Sequence, residues 1–337
     1  MSEPNPEVDR LRDLEELPSW RRWGPYLSDR QWGTVREDYS AIGNPWTYLP
    51  FDHAHRRAYR WGEDGIAGIS DDGQRLCLAL TLWNGKDSIL KERLFGLANE
   101  EGNHGEDVKE LYYHLDATPT HSYLKMLYKY PQSPFPYEQL YEENRRRGRH
   151  DPEFEIIDTG AFDEDRYFDV FVEYAKAGPR DILMRVTAHN RGPEPAELHL
   201  LPTIWFRNTW SWEAEQPRPS IDPDGAGLFL SHPAWNEYRL FYEGGTTTEN
   251  ATSNDTTDRN GLISVLFTDN ETNSPALFNS PETGSGYFKD AFHEYLIEGK
   301  SDSLNPEQTG TKVAPHYRFR IPPGQSVTIR CRLQHAA

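Results

Sequence analysis

The stretch DRYFDVFVEYAKAG at residues 165–178 decides the fold class of this chain. Its apolar residues fall on alternate positions, and successive side chains of an extended chain point to opposite faces. The apolar positions are Phe168, Val170, Val172 and Tyr174. This period of two predicts a β-strand with one face in a hydrophobic core.

Similar signals lie on both sides of this stretch. The run LCLALTLW at residues 76–83 is continuously apolar and of strand length, which predicts a strand buried on both faces. The run ILMRVTAHNRGPEPAELHLLPTIWFRN at residues 182–208 indicates a strand, a turn and a second strand, because Asn, Gly and Pro favour turns. Further short strands are predicted at residues 235–242 and 262–268.

The end of the chain repeats the alternating pattern. The run HYRFRI at residues 316–321 alternates polar and apolar residues, and so does VTIRCRL at residues 327–333. The turn sequence Pro322-Pro323-Gly324 lies between them. The pattern predicts a hairpin-like pair of strands that closes a sheet with one face in water.

Many short strands at close spacing and almost no long helical pattern indicate an all-β protein. We predict a large antiparallel β-sandwich of the super-sandwich type, with few short helices. Residues 1–19 are predicted to form an N-terminal extension or short helix, ended by Pro18, and residues 20–337 the sandwich domain. Residues 130–151, with their basic run, are predicted to be an insertion or short helix with a solvated face.

Composition narrows the partners and the compartment. The chain has 337 residues and a formal net charge of -18, so its long-range field would repel nucleic acid and anionic membranes. The N-terminus has no apolar segment of a secretory signal, and no stretch approaches the roughly 20 apolar residues of a membrane span. The two cysteines, Cys77 and Cys331, lie in apolar runs and are predicted to be reduced core thiols. These features together predict a cytoplasmic protein.

Motifs for common cofactors and nucleophiles are absent from the sequence. There is no P-loop, no G-x-G-x-x-G and no G-x-S-x-G, so neither a nucleotide cofactor nor a serine hydrolase is predicted. His53 and His55 on one segment, and His104 near Glu106 and Asp107, lack the spacing of known metal sites. We therefore predict no cofactor and no metal.

Two features suit a carbohydrate ligand, and each also has a structural explanation. The segment NEEGNHGEDVKE at residues 99–110 is rich in acids, which could line a polar cleft or be solvated loop charges. The run IWFRNTWSW contains Trp205, Trp210 and Trp212. Indole rings stack on sugar rings when exposed and fill the core when buried, and the sequence favours the core.

Several long motifs resemble one family of bacterial proteins. They are WGTVREDY (32–39), YRWGEDG (59–65), ERLFGL (92–97), GNHGEDVKE (102–110), DATPTHSY (116–123), LPTIWFRNTW (201–210) and KDAFH (289–293). Together they resemble the N-terminal part of glucosidase-like proteins similar to glycoside hydrolase family 63. The resemblance extends from about Trp20 to Leu333.

The resemblance implies an N-terminal β-sandwich that packs on a catalytic (α/α)6 barrel, in which two carboxylates hydrolyse the glycosidic bond with inversion. The sequence up to Ala337 contains no series of amphipathic helices for such a barrel, so no catalytic residue is carried over. The implied partners are that barrel and an oligosaccharide. Loops that border the cleft or the interface are predicted at Trp61, Glu63, Asp64, Asn103, His104, Glu106 and Asp107.

Three functions remain open from the sequence. The first is an accessory domain of an inverting α-glycosidase that is inactive alone. The second is a stand-alone carbohydrate-binding module, which requires exposed aromatic rings on one face. The third is a small sandwich-type sugar epimerase, which requires a histidine and a carboxylate in one concave pocket with shifted pKa values. The candidate histidines are His53, His55, His104 and His121.

Overall fold

The computed structural model describes residues 5–13, 15, 17–25, 51–58, 64–97, 107–212, 217–225, 227–247, 261–281 and 284–336. Within these ranges the chain is built mainly from β-strands joined by turns and loops. In chain order the strands are β1 (Trp23–Pro25), β2 (Ile66–Asp71), β3 (Leu76–Trp83), β4 (Gly96–Leu97), β5 (Asp107–Val108), β6 (Leu111–Ala117), β7 (Tyr123–Pro131), β8 (Tyr167–Gly178), β9 (Asp181–Asn190), β10 (Ala196–Phe206), β11 (Ser220–Asp224), β12 (Gly227–Ser231), β13 (Tyr238–Tyr242), β14 (Thr246–Thr247), β15 (Leu262–Thr268), β16 (Lys312–Ile321) and β17 (Ser326–His335).

The helices of the described residues are short. They are α1 (Pro6–Arg12), α2 (Leu17–Arg21), α3 (Phe51–Ala54), α4 (Tyr137–Arg146), α5 (Ser274–Phe278) and α6 (Ala291–Ile297), with single 3-10 turns at Ile156–Thr159, Asp163–Asp165 and Ser301–Ser303. None of the helices in the described ranges is long and apolar enough to cross a membrane.

Two large antiparallel sheets form the molecule. The described strands of the first sheet have the order β1-β2-β3-β10-β16-β15, and those of the second β11-β12-β13-β17-β9-β8-β7-β6, with β14 also paired to β17. Apolar side chains from both sheets form one buried core, which includes Leu78, Leu200 and Val172. Burial of these side chains on both inner faces holds the sheets together. The predicted all-β sandwich with few short helices is confirmed.

The strand predictions agree closely with the structure. The strands β3 and β15 have the bounds expected from the sequence, and nearly every residue of β3 is buried. The four alternating apolar residues of β8 are also buried. Both cysteines are free and buried, as predicted.

The predicted closing hairpin is wrong. The strands β16 and β17 belong to different sheets, because β16 pairs with β10 and β15 while β17 pairs with β9 and β13. The fully buried Asn190 supports this crossing with two hydrogen bonds. Its side-chain NH2 donates to the carbonyl of Ile321 at 2.8 Å, and its backbone carbonyl accepts from the amide of Gly324. Gly324 has a φ of 68°, which glycine adopts without strain. The turn therefore carries the chain from one layer to the other.

The prediction that β16 has one face in water is wrong for part of the strand. The outward-facing side chain of His316 is 3% exposed, whereas Arg318 and Arg320 on the same face are exposed. Tyr295 of α6 lies edge-on against the ring of His316, at 6.3 Å between centroids. A layer of loops therefore covers the half of the sheet that contains His316.

The N-terminal segment contains two short helices where one was predicted. Pro18 does not end a helix but is the second residue of α2, because the first turn of a helix does not need the amide hydrogen that proline lacks. The division into an extension at residues 1–19 and a sandwich domain at 20–337 stays a prediction. The segment 130–151 contains α4, in agreement with the helix predicted there.

Candidate functional site

A layer of loops covers the outer face of the six-stranded sheet near the start of β16. We call residues 51–58, 84–95, 269–281 and 284–297 the loop layer. Its apolar residues pack on outward-facing residues of the sheet, and the buried cluster consists of Leu90, Leu201, Leu266, Phe292 and Ala314. A sheet face that would otherwise meet water becomes an interior surface, and polar side chains on it must find partners.

Buried lysines connect the loop layer to the sheet. Lys289 is fully buried, and its Nζ lies 2.8 Å from Asp64 Oδ2. The same Nζ donates to the carbonyls of Ala54 and Arg57. On the first residue of β16, Lys312 Nζ lies 2.6 Å from Glu92 Oε1 and donates to the carbonyl of Lys289 at 2.8 Å. Two ion pairs thus join four segments that are distant in sequence.

Burial controls the electrostatics of these pairs. Removal from water lowers the pKa of Lys289 and raises the pKa of Asp64, although each group attracts its partner. The desolvation cost therefore exceeds the attraction for both partners, as is common for buried ion pairs. Such a pair adds little stability over an apolar contact, but the loss of one partner is costly because the other charge stays buried.

A second buried cluster lies beside the first along the segment 87–93. Lys91 Nζ lies 2.7 Å from Glu110 Oε1, and the other carboxylate oxygen of Glu110 accepts from the hydroxyl of Tyr128 at 2.8 Å. Asp87 Oδ2 accepts from the hydroxyls of Tyr130 and Tyr137. Burial and the nearby carboxylates raise the pKa of these three tyrosines well above the ordinary value, so their hydroxyls remain hydrogen-bond donors.

A small pocket opens between the two clusters. Its cavity volume is about 10 Å3, room for about one water molecule, and its lining consists of Ala54, His55, Asp64, Ile89, Leu90, Lys91, Glu92, Arg93 and Tyr137. Two buried polar atoms in this lining, Glu92 Oε2 and His55 Nδ1, have no hydrogen-bond partner in the protein.

His55 is neutral in this pocket. Burial, His293 and Arg56 lower its pKa to about 3. Its ring lies against that of His293, with 4.6 Å between ring centroids and 31° between the ring planes, and His293 Nδ1 accepts from the amide of Leu90. A neutral imidazole can donate or accept a hydrogen bond. It is a weak general base at neutral pH, because proton transfer is most efficient when the pKa lies near the operating pH.

The structure brings one predicted site residue into this region. Asp64 lines the pocket, where it is paired with Lys289 rather than open to a ligand. Asp107 is the first residue of β5, and its backbone pairs with that of Leu97 in β4. The side chain of Asp107 is outside the described structure. Five other predicted site residues lie outside the described ranges, and they are Trp61, Glu63, Asn103, His104 and Glu106. Their predicted position at the border of a cleft stays a prediction.

The candidate histidines do not gather at one place. His55 lines the pocket and His53 lies in α3, but His121 lies in the turn before β7, close to Gly24 of β1. His104 is outside the described residues. No group of three or more metal-ligating side chains occurs among the residues that the structure describes.

The tryptophans of the IWFRNTWSW run have three different environments. Trp205 is 2% exposed, but it packs with Cys77 and Ala79 on the outer face of the six-stranded sheet rather than in the core between the sheets. Trp210 is half-buried and donates from Nε1 to Glu271 at 3.0 Å. Trp212 is 45% exposed, and the guanidinium of Arg207 lies over its ring. Within the run, the described structure therefore offers one exposed ring rather than the row of rings that a carbohydrate-binding module requires.

Sequence reasoning missed the lysines that organise the site. Lys289 and Glu92 lie within the motifs KDAFH and ERLFGL, but their spacing gives no sign that they meet near one pocket. The sequence does give a sign of burial for Lys312, because this lysine directly precedes the apolar residues Val313 and Ala314 of a strand. A buried lysine is almost always paired, so a carboxylate partner could be expected.

Comparison with known proteins aligns the chain with part of a longer protein. No protein-family model matches the chain. Over 347 aligned residues the chain is 46% identical to an uncharacterized protein of Saccharomyces cerevisiae, and the alignment covers 96% of the chain and 32% of the yeast protein. The chain therefore spans about a third of the length of this relative.

A comparison of structures gives a weak similarity. A galactose mutarotase related enzyme from Lactobacillus acidophilus aligns over 76% of this chain and 87% of its own, with 7% identity and a TM-score of 0.29. At this TM-score the similarity supports no conclusion. The sequence of the chain is thus similar to one third of a longer yeast protein, and the comparisons assign it no activity.

Proposed function

We propose that this chain is a carbohydrate-related β-sandwich module of a longer protein, and that it supports the catalytic domain of an α-glycosidase. The proposal that the chain is one module of a longer protein is supported by the alignment of 96% of the chain with only 32% of the yeast relative. The carbohydrate part rests on the resemblance of the motifs to glucosidase-like proteins.

The loop layer supports a structural role. Buried ion pairs fix Asp64 and Glu92 to Lys289 and Lys312, so the loops are held rigidly on the sheet. Loops that are fixed in this way can present a constant surface to a neighbouring domain. No pair of carboxylates in the pocket is open for acid–base work, because Asp64 is engaged with a lysine.

Exposed apolar side chains also support an accessory role. On β6, which is the last described strand at one edge of its sheet, Tyr113 is 44% exposed and Leu115 is 48% exposed. Large apolar side chains on a sheet edge suit a contact with another domain. This edge is a candidate contact surface for the rest of a longer protein.

A second candidate function is a sugar epimerase of the sandwich type. It is favoured only by the residue types of the pocket lining, where His55 lies with Asp64 and Glu92, because a cavity of about 10 Å3 has no room for a sugar ring. The lowered pKa of His55 argues against a strong acid–base role at neutral pH, because the ring stays unprotonated and only weakly basic. An epimerase would therefore need Glu92, through its second oxygen, as the base.

One experiment separates the two candidates. The chain alone is assayed for hydrolysis of α-glucosides and α-mannosides. It is also assayed for interconversion of the α and β anomers of glucose, and of the α and β anomers of galactose. The same assays are run on a chimera in which the chain replaces the aligned third of the yeast relative. Activity only in the chimera supports the accessory role, and anomer interconversion by the chain alone supports the epimerase.

A further inference from the structure

A groove lies at one end of the sandwich, where strands of both sheets begin and end. Its lining includes residues that directly follow β3 and β7, residues that directly precede β8 and β10, and one residue near the end of β16. We call the space between residues 84–86, 132, 133, 166, 194–197 and 320 the end groove. Its cavity volume is about 360 Å3, within the roughly 300–1,000 Å3 that small-molecule sites contain.

Two buried amide side chains hold the walls of the end groove in place. Asn84 Nδ2 donates to the carbonyl of Ser133 at 2.9 Å, and Asn84 Oδ1 accepts from the amide of Lys86 at 2.9 Å. Gln132 Nε2 donates to Asn190 Oδ1 at 2.6 Å. These bonds join the turn after β3 to the residues after β7. A ligand therefore meets a preformed groove and costs little ordering of the protein.

Both carboxylates of the end groove are already paired. Glu194 Oε2 lies 3.1 Å from Arg166 Nη1. Glu197 is bonded at both oxygens, because Oε1 lies 2.9 Å from His199 Nε2 and Oε2 lies 2.9 Å from Arg318 Nη2. The negative charge of the lining is thus engaged with neighbouring side chains.

Two cations of the end groove have no such partner. Lys86 and Arg320 are exposed, and neither has a carboxylate oxygen within 4 Å among the residues that the structure describes. Arg320 lies directly opposite Glu197 on the neighbouring strand, but other side chains occupy both oxygens of Glu197. The lining has three cations and two carboxylates, although the whole chain has a net charge of -18. This local excess of positive charge favours an anion.

The end groove also offers hydrogen-bonding groups for the uncharged part of a ligand. Within the described structure, the hydroxyl of Ser133 and the side-chain carbonyl of Gln132 have no hydrogen-bond partner, and neither atom is sealed inside the protein. A hydroxyl can donate or accept, and a carbonyl accepts. Hydroxyl groups on a ligand can therefore bond to both atoms.

We propose that the end groove binds a small hydroxylated anion, whose phosphate or carboxylate group pairs with Lys86 and Arg320 and whose hydroxyl groups bond to Ser133 and Gln132. Charge-assisted hydrogen bonds from lysine and arginine to an oxyanion are stronger than neutral ones, so the anionic group supplies most of the affinity. The inference goes beyond the proposed accessory role and does not depend on it.

The test is calorimetric titration of the full chain with D-glucose 6-phosphate, D-glucuronate and D-glucose at low ionic strength, where charges are weakly screened. The charged probes should bind, and the one with the lower Kd identifies the oxyanion. Uncharged D-glucose should bind at least about tenfold more weakly. The double variant Lys86→Met/Arg320→Met should weaken binding of the charged probe at least about tenfold.

The matched control is the double variant Arg145→Met/Arg149→Met, which removes the same charge from two exposed residues outside the groove and should leave binding unchanged. Thermal melting should show wild-type stability for both double variants, because none of the four residues forms an ion pair among the described residues.

Each outcome decides for or against the site. Loss of binding in the Lys86/Arg320 variant together with normal binding in the control supports the end groove as an anion site. Equal binding by wild type and the Lys86/Arg320 variant, or an equal loss in both double variants, overturns it. Binding of D-glucose as tight as that of the charged probes also overturns it. So does the absence of binding of either charged probe up to about 50 mM, since small ligands of this size bind weakly but measurably.

Discussion

Lysine side chains hold the loop layer in place. Lys289 and Lys312 are buried, and each bonds both to a carboxylate and to backbone carbonyls. Buried ion pairs contribute little net stability when intact, yet their disruption leaves a charge in a medium that cannot solvate it. We therefore expect replacement of either buried lysine to lower the free energy of unfolding much more than replacement of a surface lysine.

Lys289→Met should strongly destabilise the chain. The substitution leaves Asp64 buried without its cation and removes the donor from two carbonyls, so the free energy of unfolding should fall by about 3–5 kcal/mol. Lys300→Met is the control, because Lys300 is 50% exposed in its ion pairs with Glu294 and Glu298 and should cost about 0–1 kcal/mol. Urea unfolding measures both. Equal small losses in the two variants would show that the Lys289 pair does not hold the layer.

Buried histidines should make stability depend on pH. Burial, His199 and Arg318 lower the pKa of His316 from 6.5 to about 3. Between these values the unfolded chain binds a proton that the folded chain does not, so stability is full above pH 6.5 and is lost as the pH falls toward 3. One histidine contributes a slope of up to about 1.4 kcal/mol per pH unit.

His316→Gln should remove this contribution, since glutamine does not titrate. Unfolding free energies measured by urea between about pH 6.5 and 4 should fall less steeply in this variant than in wild type. His150→Gln, on an exposed residue, is the control and should keep the wild-type slope. An unchanged slope in His316→Gln would mean that the histidine becomes protonated in the folded chain.

Sequence reasoning at this scale succeeded for apolar residues and failed for charged ones. The alternation of Phe168, Val170, Val172 and Tyr174 follows from strand geometry alone, so it could be predicted. The meeting of Asp64 with Lys289 depends on how four loops fold over a sheet, and no local pattern encodes it. Charged residues are normally exposed, which made the solvated interpretation the reasonable expectation.

At the scale of elements, strands are easier to predict than their partners. The bounds of β3 and β15 agree with the sequence, yet β16 and β17 belong to different sheets. Alternation of apolar residues shows which residues of a strand face the core. The alternation is the same whether two successive strands pair in one sheet or lie in opposite sheets. The crossing depends on Asn190, whose side chain joins the two connections between the layers.

The helix α1 should depend on one carboxylate for its docking. Glu7 accepts from the amide and hydroxyl of Thr120 at 2.8 Å, from the hydroxyl of Ser122 and from Arg10. Burial alone would raise the pKa of Glu7, but these hydrogen bonds outweigh it and lower the pKa. The carboxylate form is therefore the one that holds α1 on the turn before β7.

Glu7→Gln should loosen α1 without unfolding the sandwich. Glutamine can accept at one atom only, so the local opening free energy should fall by about 1–2 kcal/mol. Hydrogen exchange of the amides of residues 5–13 should become faster, while exchange in β8 stays slow. Asp9→Asn, on a residue whose side chain is 69% exposed, should leave exchange unchanged. Protection of α1 equal to wild type would contradict this role of Glu7.

At the scale of the whole molecule, the chain is a sandwich whose outer surfaces differ. One sheet is covered in part by the loop layer, and β6, the last described strand at one edge of the other sheet, has exposed apolar residues. The fold class could be predicted from strand periodicity, because burial of alternate residues leaves few other architectures. The pocket could not, because it arises where loops from three parts of the sequence meet.

The central claim is that this sandwich supports catalysis by another domain, and hydrolysis of α-glucosides and α-mannosides tests it most directly. Four proteins are compared: the chain alone, the yeast relative, the yeast relative without its aligned third, and the chimera that carries this chain instead. We predict hydrolysis by the intact relative and the chimera, and none by the chain alone or by the shortened relative. Hydrolysis by the chain alone, or its absence from both the relative and the chimera, would contradict the claim.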